Sequence, residues 1–399
     1  MRILMPSIVD PGARSGASTV TRNLIRLLES PPLSASVECL AIPRTTGTAH
    51  RVRQAVAISR SMLSSMPAKV AYTYSTGFRR RVLARVTSQP ADAVIINGSD
   101  LLWLESLLPE QLPRFLVVHN IEYELFASQI GGTPKSFPLM HGVLQRQYRQ
   151  LKQSEHEGMR RAGNAIFLSN EDAELVRDAD LTSTSIVVPP LFGEHVVRQP
   201  RQVRSSSRLE LGFLGNLHWW PNREGLSWFL QAVLPRITRP IHLNVFGDGL
   251  VPAMPSGTLV TRHGPIEDVS HAWDACDLMI CPMRSGGGVS IKLAEAVFHG
   301  MPSLATPFAA RGLPLGSDPC LVVKEESHWV SYLNTVDLMS IRGRCIAAEV
   351  SQAFTYPPYR HRLHEFVARN SENGVRRHFT GPDPVRGQTR GQTPGLTPN

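Results

Sequence analysis

Short apolar runs rich in β-branched residues alternate with amphipathic stretches along nearly the whole chain, and this alternation limits the fold more than any other feature. In the first half the strand-like runs are Arg2–Met5, Val37–Ala41, Ala93–Asn97, Phe115–His119, Ala165–Ser169 and Ser185–Val188. In the second half they are Leu209–Leu214, His242–Phe246, Leu259–His263, Leu278–Cys281, Ser303–Thr306 and Leu321–Val323. Runs such as Val94-Ile95-Ile96 lack polar alternation, which suits strands buried on both faces and hence parallel sheets flanked by helices. The clearest helical pattern is Arg223–Ile237, where Leu226, Phe229, Leu230, Val233, Leu234 and Ile237 share one face and Asn222 stands at the N-cap position. The repeat predicts an α/β protein of doubly wound parallel sheets.

The pattern breaks once, at Gly193–Arg208, where the segment 198–207 is polar, basic and aperiodic. With 399 residues and roughly 150 per domain, the break predicts a first domain over 1–200 and a second over 206–352. The segment 381–399 holds four Gly and four Pro and a repeated Arg-Gly-Gln-Thr, so it is expected to be a disordered tail.

Charge and cysteine usage narrow the function classes. Lys and Arg total 42 against 33 Asp and Glu, a net charge of +9. The basic residues are spread along the chain, and the densest group, Arg79-Arg80-Arg81 with Arg85 near Arg51, Arg53 and Arg60, has no nucleic-acid motif beside it. It reads as a solvated basic face, and no nucleic-acid partner is expected. Five scattered cysteines without Cys-x-x-Cys suggest a reduced, intracellular protein without a zinc site. No apolar run reaches membrane-spanning length, and Met1–Val9 is too short for a signal peptide, so a cytoplasmic location is expected.

Ligands of open α/β sheets bind beyond the carboxyl ends of the strands, so the strand-to-helix loops carry the candidate chemistry. The first loop, Asp10–Thr19, offers Gly12 and Gly16 before a helix; it is neither a Gly-x-Gly-x-x-Gly fingerprint nor a Walker loop. The loop Pro282–Ser290 contains Arg284 and the run Gly286-Gly287-Gly288, whose amides suit phosphate oxygens. Lys292 and Glu295 follow at i, i+3 spacing on one helix face, while Ile291, Ala294 and Phe298 form the other. A cation near the glycines and a carboxylate a turn along suit a ligand with phosphates and adjacent hydroxyls, such as a nucleoside diphosphate. In Gly212–Asn222, Gly215 and His218 can face a cleft, while Trp219 and Trp220 suit either packing under the loop or stacking on a ligand. His119 ends a buried strand, where structural and functional readings are both open. No cluster has metal-ligand spacing, and Asn97-Gly98-Ser99, a formal sequon, reads as a turn.

Taken together these stretches resemble the family-4 (group 1) glycosyltransferases of the GT-B fold, in the bacterial branch of exopolysaccharide and surface-glycan assembly. The resemblance spans most of residues 1–370 and is most specific from Ala272 through Gly288, in Ile291–Ala296, Gly300–Thr306 and Arg311–Leu313. Phe213–Gly215, Pro221-Asn222, Gly247–Gly249, His119–Glu122 and Leu168–Asp172 support it. It implies two Rossmann-like domains facing across a cleft, with the helix at about 357–370 crossing back onto the first domain. It further implies retaining transfer of a hexose from a UDP- or GDP-linked sugar to a glycan, lipid-linked or small-molecule hydroxyl, without metal. Glu295 matches the carboxylate on the donor ribose. Gly287 and Gly288, with Gly286, match the loop at the donor phosphates and sugar. Arg284 and Lys292 match basic positions, Gly215 the turn beneath the diphosphate, and His119 a histidine facing the donor sugar. Pro265 and Ile266 match the resting place of the base, Gly247 a supporting turn, and Gly12 and Gly16 the first glycine-rich loop.

Two departures stand out. Gly287 occupies the position of a second family Glu, and Asn216 follows Gly215 where the family has Arg, with no Lys after it. Lys292, Arg284 and Arg223 are then the expected sources of charge for the leaving group. Two rivals remain open: a catalytically silent scaffold of the same fold, and a nicotinamide-dependent oxidoreductase. The arginines of the first half also raise a peripheral contact with an anionic membrane.

Overall fold

The computed structural model describes residues 1–376 apart from 14, 44, 46, 131–137, 197–206, 255, 256 and 258. Most of the expected linker, and the whole of the expected tail at 381–399, lie outside the described residues.

Among the described residues twelve strands form two parallel sheets. The first contains β1 (Arg2–Ser7), β2 (Ser36–Ala41), β3 (Ala93–Asn97), β4 (Arg114–Val118), β5 (Asn164–Phe167) and β6 (Thr184–Val187), in the order β2-β1-β3-β4-β5-β6. The second contains β7 (Leu209–Leu214), β8 (Ile241–Phe246), β9 (Leu259–Gly264), β10 (Leu278–Cys281), β11 (Ser303–Ala305) and β12 (Leu321–Val323), in the order β12-β11-β10-β7-β8-β9. Each apolar run read from the sequence is a strand, its ends shifted by two residues at most.

Successive residues of a strand point to opposite faces, and here both faces are buried. Leu4, Val94, Ile96 and Leu116 pack on one side of the first sheet; Ile3, Met5, Ile95 and Phe115 pack on the other. Strand order reverses between β1 and β3 and again between β7 and β10. At such switch points the loops on either side diverge to opposite faces and leave a crevice. The loops after β1, β3, β7 and β10 are therefore the places where a ligand fits.

The helix expected over Arg223–Ile237 differs in detail. An α-helix covers Trp220–Trp228, widens into a π turn at Phe229–Val233 and tightens into a 3₁₀ turn at Leu234–Arg236. Pro235 has no N–H to continue the ladder, and Ile237 N bonds to Leu234 O instead. Asn222 is not the N-cap; that position falls to Trp219.

The closing helix runs from Pro357 to Arg376, and its Leu363 and Val367 enter the core under β1, β3 and β4 of the first sheet. Polar contacts hold it there. Tyr356 Oη donates to Asn23 Oδ1 at 2.9 Å, and His364 Nε2 lies 2.6 Å from Leu27 O, both on the helix Gly16–Glu29.

Candidate active site

The loops after β7, β8 and β9 meet at close quarters. Gly215 N donates to Phe246 O (2.9 Å), Leu217 N to Asp248 O (2.7 Å) and Gly247 N to Gly264 O (2.7 Å). Gly247 has φ +129°, and a Cβ on it would lie 2.0 Å from Gly215 O, so only glycine permits this approach. Asn216 folds its side chain back to accept from His218 N at 2.8 Å. Pro265 is exposed just beyond Gly264, and Ile266 packs beside Phe246 and Trp273.

Lys292 reaches into this loop cluster from the helix Ile291–Phe298. Its Nζ donates to Asn222 Oδ1 and lies 5.3 Å from the centre of the Phe213 ring. A Cβ on Gly215 would come within 3.2 Å of the ammonium. Asn222 Nδ2 is anchored in turn on Asn216 O at 2.8 Å. Among the described residues no carboxylate pairs with Lys292, and burial lowers its pKa to about 8. A buried ammonium without a counter-ion beneath a glycine turn is a site for an anion.

The glycine-rich loop touches the first half directly. Gly288 has φ +60°, and a Cβ there would lie 2.3 Å from His119 O and 2.4 Å from Asn120 Oδ1. A Cβ on Gly287 would lie 2.9 Å from Leu125 Cβ, so no side chain fits at 287 in this arrangement. That close approach is a physical reason for glycine where the resembled family has Glu. Gly286, at φ +128°, leans on Pro221 and the Trp219 ring. Trp219 and Trp220 remain 38% and 37% exposed at the rim.

His119 is buried at the end of β4, with Nε2 2.8 Å from Asn97 Oδ1 and Nδ1 without a partner. Burial lowers its pKa to about 4, so the ring is neutral at pH 7. The Glu295 carboxylate makes no hydrogen bond or ion pair among the described residues, although its backbone carbonyl accepts from His299 N at 3.0 Å. Burial pushes its carboxyl up to about 7, and the charge of Arg22, from the first half, pulls the other way. Gly16 opens the first helix against Ile291, where a Cβ would lie 3.2–3.3 Å from that side chain. Ile291, read as part of an apolar core face, is instead half-exposed at this contact between the halves. Gly12 N bonds to Asp10 Oδ1 at 2.8 Å within the same loop.

Arg284 is the exception among the expected site residues. It pairs with Glu224 Oε1 at 3.1 Å and Glu326 Oε1 at 2.7 Å and stacks over Trp228. Glu224 and Asn222 are two residues apart on one helix, so they point roughly 200° apart. Here the Arg284 charge is paired with two carboxylates around the other side of that helix from Asn222, and not set beside Lys292. Three contributors escaped the sequence reading. Asn222 reads as a cap and Asn97 as a turn, and Arg22 carries no signal that singles it out. Asn97 is fully buried and takes no part as a sequon. The signal available was an amide at the end of an apolar strand, where burial obliges it to find partners.

Residues 208–334 match the family model described as Glycosyl transferases group 1. Comparison with curated proteins by sequence finds no significant match. Among solved structures, the sucrose-phosphate synthase of Thermosynechococcus elongatus superposes with TM-score 0.64 at 13% identity, covering 92% of this chain and 98% of that one. HepE of Anabaena, in complex with UDP and glucose, gives TM-score 0.60 at 15% identity, covering 92% and 100%. TarM gives TM-score 0.62 at 8% identity, covering 93% and 98%. Among the described residues no helix is long and apolar enough to cross a membrane, and no group of three His, Cys, Asp or Glu is placed to hold a metal ion. The two Rossmann-like sheets have the GT-B fold, the second is similar over residues 208–334 to the group 1 glycosyl transferases, and the protein is a glycosyltransferase.

Proposed function

We propose that the protein is a retaining glycosyltransferase of the family-4 type, moving a hexose from a nucleoside-diphosphate sugar to a hydroxyl acceptor. The observation that carries this reading is Lys292: a buried cation, oriented by Asn222, beneath Gly215 at the β7/β10 switch point. A diphosphate there gains a charge-assisted hydrogen bond, and that bond strengthens as negative charge builds on the leaving oxygen. Glu295 suits the ribose hydroxyls, Pro265 and Ile266 the base, and the amides of 286–288 the phosphates and sugar. UDP and glucose bound to HepE, which shares the fold, agree with a UDP-linked donor.

In the proposed step the acceptor oxygen bonds to the anomeric carbon as the bond from that carbon to the diphosphate breaks. The leaving phosphate oxygen takes the acceptor's proton, so no side chain needs to act as nucleophile. The sheets enclose the reacting atoms and exclude water. His119 faces the sugar as a neutral hydrogen-bonding group. The acceptor belongs to the first half, as a glycan or lipid-linked hydroxyl. There the helix Gly47–Leu63 exposes Val52, Val56, Ile58 and Met62 beside Arg51 and Arg60, which supports contact with an anionic membrane surface.

The test is thermal shift with UDP, GDP and ADP, with acceptor-free hydrolysis of their sugars measured alongside. One nucleoside diphosphate should raise the melting temperature, and its sugar should be slowly hydrolysed. No shift and no hydrolysis across the panel would overturn the reading.

A further inference from the structure

Four buried side chains meet at the β1/β3 switch point of the first sheet: Ser7 at the end of β1, Asn97 at the end of β3, Thr21 in the first helix and His119 beyond β4. Their distances leave one arrangement of hydrogens. Ser7 Oγ lies 2.6 Å from Val9 O, and two oxygens that close need a proton between them; the serine has the only one. Thr21 Oγ1 likewise donates to Ala17 O at 2.9 Å. With those protons committed, both hydroxyls can only accept from the Asn97 side chain, at 2.8 Å and 2.9 Å. The Asn97 atom between them is therefore the NH₂ group. Its oxygen faces His119 Nε2 at 2.8 Å and must receive a hydrogen from it. His119 carries its proton on Nε2, and Nδ1 is a bare lone pair, buried and without a partner among the described residues, on the residue whose backbone carbonyl meets Gly288.

We infer that Asn97, locked by Ser7 and Thr21, is a positioning residue that holds His119 in the Nε2–H tautomer and so makes it a hydrogen-bond acceptor only. The consequence is a specificity rule that rests on the proposed function. The group seated against Nδ1 must be a donor, which on a sugar means a free hydroxyl. An oxygen without hydrogen, or a fluorine, leaves both partners as acceptors and is rejected. For the same reason the resting ring has no proton to deliver to an oxygen in the cleft.

Nitrogen-15 spectra of the histidine-labelled resting protein at pH 7 test the lock without any substrate. The expected spectrum has one imidazole with a protonated Nε2 and a pyridine-like Nδ1, assigned to His119 by its loss in His119→Gln. A protonated Nδ1 there would overturn the inference even if the enzyme turns over a nucleotide sugar. The second arm uses the accepted donor with each sugar hydroxyl replaced in turn by fluorine. One replacement should lower kcat/KM at least tenfold, and Asn97→Asp, which favours an imidazolium with a hydrogen on Nδ1, should erase that discrimination. Equal turnover of all fluorinated donors by the wild-type protein would also overturn it. If no donor is turned over at all, the proposed function fails while the tautomer is still decided by the spectrum. The wild-type measurements stand whether or not Asn97→Asp folds.

Discussion

Lys292 shows how much a single residue depends on what surrounds it. Its ordinary pKa of 10.5 falls to about 8 through burial alone, because no carboxylate offsets the lost hydration. Arg284, only eight positions earlier, is half-exposed and paired twice. The two should therefore part company on mutation. Lys292→Ala should cut kcat by an order of magnitude or more, about 1.4 kcal/mol per factor of ten. Arg284→Ala should keep kcat within about threefold, since surface pairs are worth ~1 kcal/mol or less. Steady-state kinetics on both variants checks this, and equal losses would return Arg284 to the phosphate site. The pH profile follows from Lys292 and its neighbour on the same helix, Glu295. Glu295, with its pKa raised to about 7, gains its charge as pH rises through 7; Lys292 loses its charge as pH rises through 8. Donor kcat/KM in the free enzyme should rise and then fall, with its maximum between these values. Lys292→Arg should move the alkaline limb up and leave the acidic limb in place.

At the scale of elements, the strand ends decide the chemistry. The reversals at β1/β3 and β7/β10 set four loops around one seam, and the glycines among them are spacing devices. Gly247→Ala combines a left-handed φ with a Cβ 2.0 Å from the Gly215 carbonyl, so it should cost at least about 2 kcal/mol and weaken donor binding as the Gly215 turn shifts. Gly142 sits in the helix Pro138–Ala162 with nothing within 4 Å of its Cβ position, so Gly142→Ala should be neutral or stabilising by ~0.5–1 kcal/mol. Thermal melts of the pair read the difference. The strands were legible because a strand buried on both faces needs an unbroken apolar run, and composition alone records that. The end of the helix at Trp228 was not legible. Its apolar face continues through the π turn to Ile237, so periodicity reports burial there and misses the change of hydrogen-bond ladder. Asn222 was misread for a related reason: an amide before a helix caps it by default, and only the arrival of Lys292 from another element gives it other work.

On the scale of the whole molecule, the two sheets are tied at several places that are far apart in sequence. Ile291 rests on Gly16, Gly288 on His119, and Gly312 N donates to Glu171 Oε1 at 3.0 Å. The closing helix adds an apolar tie, because Leu363 and Val367 complete a core built from Ile3, Ile95 and Phe115. Ending the chain at Thr355 would strip that cover and leave Asn23 and Leu27 without their Tyr356 and His364 partners. The shortened protein should melt well below the full chain and bind an apolar dye such as ANS at ambient temperature; unchanged melting would show that the first sheet needs no such cover. By itself the sequence determined the class of fold, the twelve strands and the loops that carry chemistry, because those depend on local apolar patterns and on glycines that the backbone requires. Only the tertiary structure decided which charges are paired with carboxylates and which are not. Arg284 and Lys292 look equivalent on paper, and so do Asn97 and any other turn asparagine. Pairing, burial and the route of each proton are set by neighbours tens or hundreds of residues away, and no local pattern encodes them.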